Sequence, residues 1–215
     1  MRSGVITAVH QNKRNKYCYE IFIEGELAFE VHEDILVKYS LLKGTEIDGN
    51  LYEEVLLAEE KNRAFLAALR YIGIRPRSCH QVETYLMGKG YTKERAVEVR
   101  ELCEQKGYLN DTAFAKQWVQ ERLINKSLGS FALRQELMQK GITTQVIQSA
   151  LRGIDQDDEV MAARKLAIKK CRGREIPLSM KEEAKLLTYL MRKGFSHSIV
   201  QKIKQEARSG RLFED

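Results

Sequence analysis

Two spacings of apolar residues divide the chain near residue 50. Upstream, they alternate. Val5-Ile6-Thr7-Ala8-Val9 is short and β-branched, and Tyr17-Cys18-Tyr19-Glu20-Ile21-Phe22-Ile23 is aromatic and β-branched. Glu24-Gly25-Glu26 interrupts this run, and Leu27, Phe29 and Val31 alternate beyond it, so the pair predicts a hairpin. Glu33-Asp34 is placed to open a short helix through Tyr39, which Lys43-Gly44 would end. Downstream the period lengthens. Ala64, Phe65, Ala68, Leu69 and Ile72 recur three and four apart, which gives a helix one apolar face.

Within the helical region a single phrase occurs three times. Leu86-Met-Gly-Lys-Gly-Tyr-Thr92 returns as Leu137-Met-Gln-Lys-Gly-Ile-Thr143 and again as Leu190-Met-Arg-Lys-Gly-Phe-Ser196, the copies 51 and 53 residues apart. Each copy reads as a joint between helices. Gly90, Gly141 and Gly194 stand where a helix ends in a left-handed residue, and the lysine before each lies beside the orphan carbonyls of the last turn. Tyr91, Ile142 and Phe195 can fold back as the apolar contact of such a stop, and Thr92, Thr143 and Ser196 can cap the next helix. Ser78-x-x-Gln81 and Ser179-x-x-Glu182 are capping boxes that open the helix before the joint, with Ser130 in the equivalent place of the middle copy. Longer helices are predicted over about 58–72, 111–125 and 156–171, and shorter ones after the joints over about 93–105, 144–151 and 197–208. Asn110, after the glycine stop at Gly107, caps the first helix of the second copy.

The predicted organisation is a β-rich module over 1–57, three-helix repeats over 58–108, 109–153 and 154–208, and a tail over 209–215. The fold class is therefore mainly α: three tandem three-helix repeats forming an elongated, curved array behind a small β-rich N-terminal module. Composition agrees, since 43% hydrophobic residues in a chain of 215 suffice for a core and exclude wholesale disorder. The net charge of +6 is unevenly placed: residues 1–57 carry six Lys/Arg against ten Asp/Glu, and the remainder carries 30 against 20. The acidic module, separate in pattern, is expected to be removable. The basic remainder calls for an anionic partner.

Candidate chemistry is sparse. No phosphate-binding loop, dinucleotide fingerprint, zinc motif or nucleophile elbow occurs, and the histidines His10, His32, His80 and His197 are scattered. Asp157-Asp158 and Glu182-Glu183 sit at presumed helix starts, where the dipole favours them. Cys18, Cys79, Cys103 and Cys171 form no C-x-x-C pair and read as reduced, packed thiols of a cytoplasmic protein. There is no long apolar run for a membrane span, and the first residues lack the apolar core of a signal peptide. The reading is a non-enzyme with no cofactor and no metal. Phe114 and Trp118, one helical turn apart, read as core rather than as stacking platforms. Basic residues cluster after the first helix of every repeat: Arg70, Arg75 and Arg77; Arg122 and Lys126; Arg164, Lys165, Lys169, Lys170, Arg172 and Arg174. They are either solvated helix faces or the candidate surface for a long polyanionic or acidic partner.

The ordered set Ala68-Leu-Arg-Tyr-Ile, Arg77-Ser78, Tyr85-Leu-x-x-Lys-Gly-Tyr91, Gly107-Tyr-Leu-Asn-Asp-x-x-Phe-Ala115, Arg122, Gly129, Leu133-x-x-Glu-Leu-x-x-Lys-Gly-Ile142 and Ala150-Leu151 resembles the RecX family, regulators of the RecA recombinase. The resemblance is strongest over residues 60–152. Asn110 stands where Asp is usual, and it caps a helix as well. The resemblance implies a helical array that binds the RecA–DNA filament, and the chain is expected to act as a monomer in the cytoplasm. It further implies inhibition of strand exchange, ATP hydrolysis and co-protease activity in DNA repair and the SOS response. Single- or double-stranded DNA is a further expected partner. The alternative is a sequence-independent DNA-binding protein acting without RecA.

Overall fold

The computed structural model describes residues 3–172 and 178–213. Its elements run β1 (Gly4–Gln11), β2 (Cys18–Ile23), β3 (Glu26–His32), α1 (Glu33–Lys38), β4 (Glu46–Ile47), α2 (Gly49–Ile74), α3 (Cys79–Gly88), α4 (Lys93–Gln105), α5 (Asp111–Lys126), α6 (Ser130–Gln139), α7 (Thr144–Arg152), α8 (Gln156–Cys171), α9 (Met180–Arg192) and α10 (His197–Arg208), with a short 3-10 turn over Arg211–Phe213. The fold is mainly helical, and α2–α4, α5–α7 and α8–α10 are the three three-helix repeats. Contacts group Met1–Arg75 with Val82–Tyr108 in one compact unit and Pro76–Gln81 with Leu109–Asp215 in another.

In the first unit a four-stranded antiparallel sheet is ordered β3-β2-β1-β4. The β2–β3 hairpin turns on Glu24 and Gly25, both at positive φ (51° and 84°), the handedness that suits the twist of its strands. The short helix α1 ends earlier than Lys43-Gly44: Tyr39 caps it and Ser40 follows at φ 49°. Ile6, Ile21, Ile23, Val31 and Ile47 are buried from the sheet side of a core that also contains Ile35 of α1 and Val55 of α2. Asp48 accepts from the Leu51 amide at 2.7 Å and opens α2 at Gly49, ahead of the expected 58. A boundary at 57 therefore falls inside a continuous helix. The carboxylate of Glu59, 4% exposed, accepts from the His32 amide at 2.8 Å and pairs with Arg63, joining the end of β3 to α2. Sheet and α2 share one core, which argues against the expected separability of the N-terminal module.

The joints form as their sequence requires. Gly90, Gly141 and Gly194 adopt φ of 94°, 73° and 86°. The amides of Tyr91, Ile142 and Phe195 donate back to the carbonyls of Leu86, Leu137 and Leu190 at 3.3, 3.1 and 3.3 Å, the long bond of a Schellman stop. Leu86, Leu137 and Leu190 are fully buried. Thr92 and Ser196 accept from Arg95 and Ile199 amides, whereas Thr143 has the backbone of a cap without the side-chain bond.

In the second unit, Ser130 does not cap α6. Gly129 holds that position and the exposed amides are served from the third repeat: Gly129 N donates to Lys193 O at 2.9 Å, Phe131 N to Gly194 O at 3.0 Å and Ser130 N to the buried Glu159 carboxylate at 2.7 Å. The close approach explains Gly129, since a Cβ there would lie 2.4 Å from Gly194 O. Pro76–Gln81 joins this unit through similar contacts. The Ser78 hydroxyl donates to Lys140 O at 2.7 Å and the Cys79 amide to Asp111 at 2.9 Å. The cores of the unit are built from Phe114, Val119, Leu133, Leu137 and Ile147 around α5–α7 and from Ala163, Leu186, Leu190, Ile199 and Ile203 around α8–α10.

Candidate functional site

The helical register that buries leucine and alanine stripes also decides which cations remain available. Among the sequence-predicted residues, Arg164 and Arg122 are held by carboxylates. Arg164 makes a forked pair with Glu206 of α10 at 2.9 and 2.7 Å. Arg122 stacks over the Trp118 ring at 4.0 Å and lies 3.4 Å from Glu136. Trp118 donates its indole N–H to Glu136 at 2.7 Å, and Lys140 also sits 4.0 Å from its ring. With Phe114 only 6% exposed beside it, the pair packs rather than offering an open ring to a base. The role of these two arginines is to bind α5 to α6 and α8 to α10.

Arg70 and Arg75 of the first unit are exposed, and Arg77 is half-buried. Lys126 is exposed in the last turn of α5. Lys165 borders an apolar groove of about 640 Å³ lined by Val119, Leu123, Ile124 and Met161. Lys169, Lys170 and Arg172 are exposed at the end of α8, and Arg174 lies outside the described residues.

Lys170 does not stand alone. It shares a groove of about 590 Å³ with Lys181, Lys185, Tyr189 and Arg192 of α9. Lys181, Lys185 and Arg192 recur four and seven apart, which places them on one face of that helix. Tyr189 lies between walls: Lys170 is 5.2 Å and Lys193 5.7 Å from its ring, both within the range of a cation–π attraction. All four lining cations are exposed, and none pairs with a carboxylate among the described residues. Sequence reasoning followed the first helix of each repeat and so missed the α9 stripe. The signal was present as Lys181, Lys185 and Arg192 at helical spacing opposite the buried Leu186 and Leu190.

The joint lysines share a device. Lys89 lies 5.6 Å from the Tyr85 ring in the first repeat, as Lys193 does from Tyr189 in the third, one helical turn apart in each case. In the second repeat Glu136 replaces the tyrosine, and Trp118 supplies the ring for Lys140. No group of three or more His, Cys, Asp or Glu able to hold a metal ion occurs among the described residues. Cys18, Cys103 and Cys171 are buried and Cys79 is half-buried, none of them in a disulfide. Burial pushes the Cys103 thiol up to about 11, away from reactive thiolate behaviour.

Comparison with known proteins gives a consistent match along the chain. Four family profiles align in order: the regulatory protein RecX N-terminal domain over 4–48, and the first, second and third three-helix domains of RecX over 64–101, 110–151 and 157–203. The regulatory protein RecX of Halalkalibacterium halodurans is 32% identical, the alignment covering 94% of this chain and 80% of that protein. That of Bacillus licheniformis is 33% identical over 94% and 76%. A crystal structure of regulatory protein RecX superposes with a TM-score of 0.78 at 27% identity, covering 95% of this chain and all of the other. The RecX structure from Lactobacillus salivarius shares the fold, with a TM-score of 0.64 at 23% identity over 70% and 97%.

Proposed function

Since the chain belongs to the RecX family of regulatory proteins, we propose that it binds the RecA–DNA filament and inhibits recombinase, ATPase and co-protease activity by binding alone. The observation that carries this reading is the distribution of cations in the third repeat. Arginines at the helix contacts are neutralised by carboxylates, while Lys169, Lys170 and Arg172 at the end of α8 are left exposed. A binding surface for a polyanionic assembly needs such uncommitted charge. The protein acts as a monomer in the cytoplasm, and no described helix is long and apolar enough to cross a membrane.

The test adds the protein to RecA assembled on single-stranded DNA and follows ATP hydrolysis. A filament modulator lowers the rate at amounts well below one per RecA protomer. The second reading, DNA binding without RecA, is favoured by the same uncommitted cations. It requires enough protein to coat the strand, so inhibition that appears only at coating amounts selects it.

A further inference from the structure

We propose that the groove between the end of α8 and the Lys181–Arg192 face of α9 binds the sugar–phosphate backbone of a nucleic-acid strand. The proposal deepens the filament reading, and rests on it for the claim that the protein works on a DNA-bearing assembly. Three features of the groove select this occupant. Its charge is of one sign: Lys170, Lys181, Lys185 and Arg192 line it, and no carboxylate lines it among the described residues. Its charges are arranged along a line, since eleven residues of helix separate Lys181 from Arg192, about 16 Å at 1.5 Å per residue. A line of like charges of that length suits a linear polyanion.

The third feature is the kind of cation. Where this chain fixes a carboxylate among α8–α10, it uses arginine forks: Arg164 on Glu206, and Arg208 on Glu183 at 2.6 and 2.9 Å. Three of the four groove cations are lysines, compact point charges that tolerate the varied directions of backbone phosphates. The Tyr189 ring holds two ammonium groups, those of Lys170 and Lys193, beside the groove. Being half-buried, it serves as floor rather than as a stacking platform. Recognition through phosphates alone carries no base preference.

The test measures binding of a fluorescent oligo-dT strand to the full-length protein by anisotropy, without RecA, across a salt series. The groove variant combines Lys181→Gln, Lys185→Gln and Arg192→Gln. The control combines Lys13→Gln, Arg14→Gln and Lys16→Gln in the exposed turn between β1 and β2, and so removes the same three charges. The groove variant is expected to bind about tenfold more weakly, with a salt slope smaller by about two units, because each lost phosphate contact on a single strand removes roughly 0.7. The control stays within about twofold of the parent protein by the same reasoning. Lys181→Arg with Lys185→Arg keeps the charge and retains binding, which separates lost contacts from lost folding.

Equal weakening of both triple variants would overturn the proposal, because net charge alone would explain it. Poly-glutamate competing as well as oligo-dT at equal charge would also overturn it, in favour of an acidic protein surface. Duplex DNA in place of oligo-dT shows whether the strand can be bound while paired. Failure of the filament reading is separate: the parent protein would then bind oligo-dT through the groove yet leave RecA's ATP hydrolysis unchanged.

Discussion

Gly129 carries more of the fold than its lack of a side chain suggests. Its φ and ψ, −78° and 166°, are open to any residue, so conformational strain is no part of its role. What matters is contact, because a Cβ would meet the Gly194 carbonyl, a backbone atom that cannot swing aside. Gly129→Ala is expected to cost about 2 kcal/mol or more, as overpacking against fixed atoms does, and a denaturant melt measures it. A different residue reports pH. The Glu183 carboxyl is held below the usual carboxylate range, chiefly by hydrogen bonding from Arg208; desolvation opposes this and Lys204 adds to it. Its value in the folded chain lies below that of the unfolded chain, so the stabilisation is complete above the ordinary carboxylate range. It disappears as pH falls through the depressed value. Thermal melts of Glu183→Gln should therefore lie below the parent at neutral pH and converge with it in acid.

At the scale of elements, the joints were legible because a glycine stop, a lysine and a cap are all local chemistry. Gly90, Gly141 and Gly194 take positive φ, and α4, α5, α8 and α10 open at the residues their caps and periodicity predict, Lys93, Asp111, Gln156 and His197. What lay beyond reach were elements completed by distant chain. The sequence offers Ser130 as a cap, but the amides at that helix start are met by Lys193, Gly194 and Glu159. The candidate site divides in the same way. Exposure of Lys169 and Lys170 follows from their place in the last turn of α8. That Arg122 and Arg164 are committed to Glu136 and Glu206 depends on neighbouring helices which spacing alone does not pair. The lysine stripe on α9 acquires meaning only when Lys170 forms the facing wall.

For the whole molecule, the continuous α2 changes what a truncation means. A fragment over 58–215 would keep Glu59 and its partner Arg63 while losing the His32 amide bonded to it, along with the Val55 contact to the sheet core. Such a fragment is expected to melt below the full chain, since it loses the first turns of α2 and the sheet core packed against that helix. Circular dichroism on the two lengths tests this. The buried thiols have a use of a different kind. Cys18 lies in the sheet, Cys103 in α4 and Cys171 at the end of α8, each enclosed, while Cys79 is half-buried at the start of α3. An alkylating reagent followed by mass spectrometry should modify Cys79 first and the other three only as their surroundings open. The chain thus carries native clocks for the sheet, the first repeat and the third. If opening is cooperative throughout, the three slow reactions share one rate in mild denaturant; if the modules open separately, each keeps its own time.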